Sequence, residues 1–243
     1  MCIRDSDGTS YNLTVASAAA GSKVVIDDKT GEISIDDKAT GWFATTGEGE
    51  EAVDMTPDIP VSFVDVKEDD WFAPCVQYVY EQKIMKGMDA AHFGPDGVLT
   101  RAQFAAMLYR MEGSPEVTYR NVFTDVKDGE FYTDAVIWAK SIGVIRGYDD
   151  EHFGPADSIT REQMATVIYR YAQYQKKDVS AEGDLEKFPD GDQVSAFAAE
   201  AMKWCVGVGL IQGNGLDKTL APQEEVPRAV CAVILLRYAE KLK

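Results

Sequence analysis

The sequence predicts a mainly α-helical protein: three versions of one helix-pair unit in pseudo-threefold arrangement, preceded by a short β-hairpin left over from an upstream β domain. Three observations predict it. Punctuating residues recur in one order, as Gly87, His92-Phe93-Gly94-Pro95 and Thr100-Arg101-Ala102-Gln103, then Gly147, His152-Phe153-Gly154-Pro155 and Thr160-Arg161-Glu162-Gln163. A third, eroded copy reads Gly213, Leu220-Ala221-Pro222 and Pro227-Arg228-Ala229, and such self-similarity is the signature of a repeat architecture. The distance from an aromatic to the glycine is constant, 71 to 87, 131 to 147 and 197 to 213. Finally, three apolar stripes follow i, i+3, i+4, i+7 spacing: Phe104, Met107, Leu108, Met111; Met164, Val167, Ile168, Tyr171; and Cys231, Ile234, Leu235, Tyr238. One helix pair cannot bury such a stripe alone, but three stripes facing one another can.

In chain order, residues 1–7 read like translated sequencing adapter at a truncated gene end, so the true N-terminus, and a signal peptide with it, are expected to be missing. Residues 8–46 alternate with period two at Tyr11, Leu13 and Val15, and Val24-Val25-Ile26 and Ile33-Ser34-Ile35 flank the turn signal Asp28-Lys29-Thr30-Gly31. Residues 47–60, rich in Gly, Glu and Pro, form a linker. The repeats follow at 61–112, 121–174 and 185–241. In each, Phe63-Val64-Asp65-Val66, Phe123-Thr124-Asp125-Val126 or Phe188-Pro189-Asp190 precedes Trp71, Phe131 or Phe197. The fixed spacing to the glycine predicts a first helix of about three to four turns. The Asp is expected to cap this helix or hinge the preceding turn. Gly143 and Gly209 suit a left-handed C-terminal cap, where the first unit has Lys83.

Composition limits function. Of 243 residues 45% are apolar, enough for a packed core, and the net charge of −17 argues against nucleic acid and anionic lipid. The longest strongly apolar run, Val230 to Leu236, is bracketed by Arg228 and Arg237 and falls far short of the roughly 20 residues of a membrane span. Cys75, Cys205 and Cys231 have no close partner in sequence and read as small core residues. His92 and His152, in matching loops, read as structural or exposed. The acidic loop Tyr148-Asp149-Asp150-Glu151 lacks the ligand spacing of a calcium loop, so no metal is assigned. No nucleophile triad, phosphate loop or acid/base couple emerges, and the chain is read as non-catalytic and without cofactor.

Thr100 with Gln103 and Thr160 with Gln163 make capping boxes that start the second helices. The arginine after each Thr is harder to explain, because a cation in a first turn opposes the helix dipole at a cost of about 0.3–1 kcal/mol. All three units keep it, as Arg101, Arg161 and Arg228. Either each pairs with a local carboxylate, Asp65, Asp125 or Asp190, or guanidinium and free helix N–H groups together receive a ligand carboxylate or phosphate.

The order Phe-x-Asp, Trp or Phe, Gly-Tyr-Asp, Phe-Gly-Pro and Thr-Arg-Glu-Gln resembles the S-layer homology domain, in a triplet covering about three quarters of the chain. The resemblance implies a three-pronged spindle fold. It also implies non-covalent attachment of a secreted protein to the bacterial envelope, through an anionic, often pyruvylated, secondary cell-wall polysaccharide or peptidoglycan-linked glycan held in inter-repeat grooves. Localisation would then be the cell wall or surface layer, without membrane insertion. Carried over to this chain, the ligand contacts are Arg101, Arg161 and Arg228, with Trp71 beside Gly87, Phe131 beside Gly147 and, more distantly, Phe197 beside Gly213; Asp65 and Asp125 complete the candidate set. Gln103 and Gln163 depart from the family's Glu, and Pro227 and Val230 replace its Thr and Glu, which ranks the third site last. Two alternatives stand: the tether of a surface hydrolase whose catalytic domain lies outside this chain, and self-assembly of a surface lattice through repeat-to-repeat contacts.

Overall fold

The computed structural model describes residues 63–214 and 218–242, together with the backbone of five short strands earlier in the chain. The chain divides into two compact units, Met1–Ile59 and Pro60–Lys243. In the first unit, β1 (Cys2–Arg4) pairs antiparallel with β2 (Ser10–Asn12), and β3 (Val24–Ile26), β4 (Glu32–Ile35) and β5 (Lys38–Phe43) form an antiparallel sheet in that order. Val24 faces Ile35 and Ile26 faces Ile33 across the first pair. The turn signal at 28–31 and the linker at 47–60 lie outside the described residues.

The second unit is helical. Its helices are α1 (Ala73–Glu81), α2 (Arg101–Met111), α3 (Thr133–Ser141), α4 (Arg161–Tyr174), α5 (Ala199–Gly207) and α6 (Arg228–Lys241). The first helix of each repeat has nine residues, about two and a half turns instead of the three to four expected. The constant aromatic-to-glycine spacing includes a C-terminal turn as well as helix. Gly143 and Gly209 occupy the left-handed region there (φ +73° and +75°), and Lys83 adopts it too, at +57°. The conformation is set by the helix exit, and the first repeat makes it without glycine.

The second helices begin as the residues dictate. Thr100 and Thr160 accept the amides of Gln103 and Gln163, whose side chains reach back to the Thr amides. Pro227 starts α6 with no side-chain cap. Helices α1, α3 and α5 likewise have no side-chain cap, so Asp65, Asp125 and Asp190 are not their caps.

Packing joins successive repeats. α2 lies against α3, α4 against α5, and α6 returns to α1, so second helices pair with the first helices of the next repeat. The three stripes also meet: Cys231 Sγ lies 3.8 Å from Met107 Sδ, the Tyr171 and Tyr238 rings stack at 5.6 Å, and Tyr171 donates to Glu112. At the helix starts, the buried residues Leu99, Ile159 and Val226 bond in a closed cycle. Leu99 N–H donates to Val226 O, Val226 N–H to Ile159 O and Ile159 N–H to Leu99 O, at 2.9–3.1 Å. Each strand-like entry into a second helix is therefore satisfied only by the other two repeats.

Candidate functional site

Among the described residues the three arginines have no carboxylate partner, and they are not open to solvent. Arg101, Arg161 and Arg228 are 8%, 3% and 5% exposed. Their Nε atoms donate to main-chain carbonyls of another repeat: Arg101 to Phe153 O (2.9 Å), Arg161 to Leu220 O (2.7 Å) and Arg228 to Phe93 O (2.9 Å). Arg101 Nη2 adds Arg146 O and Arg228 Nη2 adds Lys86 O. Burial pulls all three guanidinium pKa values down, while neighbouring acidic groups push back. The reading that pairs these arginines with local carboxylates needs correction. The expected partners Asp65, Asp125 and Asp190 instead accept loop amides, from Phe93 and Gly94, Phe153 and Gly154, and Leu220 and Ala221. One loop residue in each repeat thus gives its N–H to an aspartate and its carbonyl to an arginine. The carboxylate and guanidinium are linked through a peptide group instead of touching.

Nor are the helix N-termini free for a ligand. Arg101, Arg161 and Arg228 N–H groups donate to Asp157, Glu224 and Gly97 carbonyls, and the next amides donate to Pro155, Pro222 and Pro95. The Phe-Gly-Pro or Leu-Ala-Pro loop of one repeat therefore closes the first two amides of its neighbour's helix, and the Thr caps take the third in α2 and α4, which removes the orphan donors that would bind an anion at those two helix starts. Main-chain carbonyls at the positive helix end also answer the unfavourable placement of the arginines.

Two grooves open beside this clamp. One, of about 360 Å³, is lined by Arg101, by Arg146, Gly147, Tyr148 and Phe153 of the second repeat's loop, by Gln163, Thr166, Val167 and Arg170 of α4, and by Phe197. The other, of about 580 Å³, combines Arg161 with Gln212, Gly213, Asn214 and Lys218, with Glu224 and Glu225, with Val230, Val233 and Arg237 of α6, and with Trp71. Each groove takes one element from three different repeats. The expected pairing of aromatic and glycine is accordingly corrected: Phe197, not Phe131, accompanies Gly147, and Trp71 accompanies Gly213 instead of Gly87. The aromatic comes from the repeat after the glycine because helices pair across repeats. Asp65 and Asp125 are absent from both linings, being engaged by the loop amides.

Exposure fits a contact role for the aromatics, with Trp71, Phe131 and Phe197 66%, 64% and 58% exposed. The glycines answer to packing: a Cβ on Gly147 would come within 2.4 Å of the Asp149 and His152 carbonyl oxygens, and one on Gly87 within 2.5 Å of Asp89 O. The nearby Asp89–His92 and Asp149–His152 pairs are exposed loop closures at 3.0 Å.

Arg170 and Arg146 were not singled out from the sequence. Arg110, Arg170 and Arg237 each stand nine positions after Arg101, Arg161 and Arg228, a recurrence that the sequence carries. Arg110 and Arg237 donate to the carbonyls of Ile84 and Leu210, whereas Arg170 has no such partner among the described residues. Burial and then the charge of Arg146 lower its pKa. The Arg101 groove thus gathers three cations with no carboxylate in its lining, in a chain of net charge −17. The Arg161 groove mixes three cations with two glutamates. Over Arg101 the Tyr148 ring sits 4.4 Å from the guanidinium carbon, an arrangement that favours the charged form.

Residues 62–105, 122–165 and 187–229 match the S-layer homology domain family. The chain is 30% identical over 184 residues to an amylopullulanase of Thermoanaerobacterium thermosulfurigenes, covering 74% of this chain and 10% of that protein. It is 29% identical over 214 residues to the exoglucanase XynX of Acetivibrio thermocellus, 85% of this chain and 19% of the relative. A cellulosome-anchoring protein of Acetivibrio thermocellus is 34% identical over 119 residues, 45% of this chain and 26% of its own length. The chain therefore spans only a tenth to a fifth of the length of the first two.

Proposed function

From the chain's membership of the S-layer homology domain family, we propose that it anchors a surface protein to the bacterial cell wall by receiving an anionic, pyruvylated secondary cell-wall polysaccharide or peptidoglycan-linked glycan between successive repeats. Its location is the cell wall or cell surface, as for the family, and no helix among the described residues is long and apolar enough to cross a membrane. The observation that carries the ligand reading is the convergence of Arg101, Arg146 and Arg170 with Phe197 in a groove whose lining has no acidic residue. Arg170 and Arg146 are the direct grip in this reading, with the buried Arg101 supplying field and loop geometry.

The cyclic bonding of Leu99, Ile159 and Val226 supports a pseudo-threefold spindle. By that equivalence a third site would unite Arg228, Gly87 and Arg110 with Phe131. The Arg161 groove, with Glu224 and Glu225 beside its cations, ranks below the Arg101 groove for an acidic sugar. Segment 8–46 is proposed to be the end of an upstream β domain, and the anchored cargo to be a longer protein, as with the relatives named above. The anchor itself is proposed to be non-catalytic.

The test incubates the full chain with purified sacculi before and after acid removal of pyruvyl ketals. Binding falls after removal, and Arg170→Ala lowers affinity for untreated sacculi about 10- to 100-fold, the value of one charge-assisted bond. Equal binding to both preparations rejects the acidic-sugar reading.

A further inference from the structure

The third repeat is built differently just before its groove aromatic. Six positions separate Asp65 from Trp71 and Asp125 from Phe131, but seven separate Asp190 from Phe197. The first two connectors close on themselves: Lys67 N–H donates to Asp70, and the Thr133 hydroxyl receives Glu130 N–H and donates to Lys127 O. The longer third connector passes through a 3-10 turn at Gly191–Gln193 and is held from another repeat. Glu162, on the first turn of α4 and 5% exposed, accepts Ser195 N–H on one carboxylate oxygen (2.9 Å) and the Ser195 hydroxyl on the other (2.8 Å). Gln223 adds one exposed bond to Gln193 O. Ser195 O then receives Ala198 N–H, so Phe197 sits between two fixed residues. At the position of Glu162, α2 has Ala102 and α6 has Ala229, neither of which can reach a connector. The buried carboxylate occurs only in the helix that faces the one connector with an extra residue.

We propose that Glu162 is a positioning residue for the Arg101 groove: by holding Ser195 it fixes Phe197 as the flat apolar wall against which a sugar ring rests beside Arg170. This rests on the glycan-binding reading above. A buried anion with both oxygens engaged is a specific tether, and removing it leaves the connector with the main-chain bonds Gln193 N–H to Asp190 O and Ala198 N–H to Ser195 O but without a side-chain closure like those of the first two.

The test is a double-mutant cycle on the full chain, read by affinity for untreated sacculi and by amide hydrogen exchange. Glu162→Ala is expected to weaken binding about 3- to 10-fold and to speed exchange at the Ser195 amide, yet to weaken binding no further in a Phe197→Ala background. Glu162→Gln, which keeps an acceptor for Ser195, restores most of the affinity. A merely structural role would lower affinity equally in both backgrounds, and that additivity overturns the proposal, as does an unchanged Ser195 exchange rate in Glu162→Ala. If Phe197→Ala and Arg170→Ala both bind as the parent does, the groove reading fails, and positioning for a ligand fails with it. The Ser195 exchange rate then reports separately whether the tether exists.

Discussion

Replacing Arg101 by Ala tests the assignment of this residue to the fold ahead of the ligand. The side chain donates 2.9 Å to the buried Phe153 carbonyl and 3.2 Å to Arg146 O, and its guanidinium carbon lies 4.4 Å and 4.9 Å from the Tyr148 and Phe153 ring centres. The shorter charge-assisted bond contributes about 1.5–2 kcal/mol and the longer, half-exposed one about 0.5–1. The ring contacts add about 0.5–1. Release of a cation from a buried site offsets part of this, leaving a net loss of about 2–3 kcal/mol. For a unit of this size 1 kcal/mol moves Tm by about 2–4 °C, so the variant should melt about 4–12 °C lower. The assay is far-UV circular dichroism during heating of the full chain. Arg101→Lys should recover only part of the loss, because an ammonium cannot reproduce the planar fork. A Tm within about 2 °C of the parent for Arg101→Ala would refute the structural reasoning and return this arginine to the role of a free ligand contact.

Three further outcomes follow from the same geometry. Lys83 holds φ +57° where the other repeats use glycine, so Lys83→Gly should raise stability by about 0.5–1 kcal/mol in urea unfolding. The carboxyl of Asp65 is held below the ordinary aspartate range: burial raises its pKa, but the Phe93 and Gly94 amides outweigh that and lower it. Its contribution to stability is therefore present above the unfolded value and lost as pH falls through the lower folded one; urea midpoints should drop below about pH 4, less steeply in Asp65→Asn. Cys75, Cys205 and Cys231 are buried, and burial raises all three thiol pKa values, that of Cys231 to about 12. These three should resist a disulfide exchange reagent at pH 8 until denaturant is added; rapid modification in the native state would contradict the packing.

Local chemistry made much of this fold legible. Thr100 and Gln103 signal a helix start because their bonds span one turn, and the residues between need nothing from elsewhere. The stripes on α2, α4 and α6 read correctly because helical periodicity is intrinsic to the backbone. What escaped were the assignments that depend on which loop or aromatic of one repeat meets which helix of another. Asp125 looked like a cap or a partner for arginine, but it serves an amide 28 residues on, at Phe153. The sequence pairs Phe131 with the glycine of its own repeat, whereas the Gly147 groove takes Phe197. Arg170 was legible only as a recurrence: one arginine nine positions after another has no meaning until both sides of a groove are present.

The linear order of residues was enough to establish a threefold repeat, its helix starts, its apolar faces and its family, since each rests on interactions within a few turns of chain. Only the tertiary structure decided that the motif arginines are buried on peptide carbonyls, that loops of one repeat close the helices of another, and that Arg146 and Arg170 line the groove. Those outcomes depend on contacts between residues tens of positions apart, and burial there decides whether a charge faces solvent or a carbonyl.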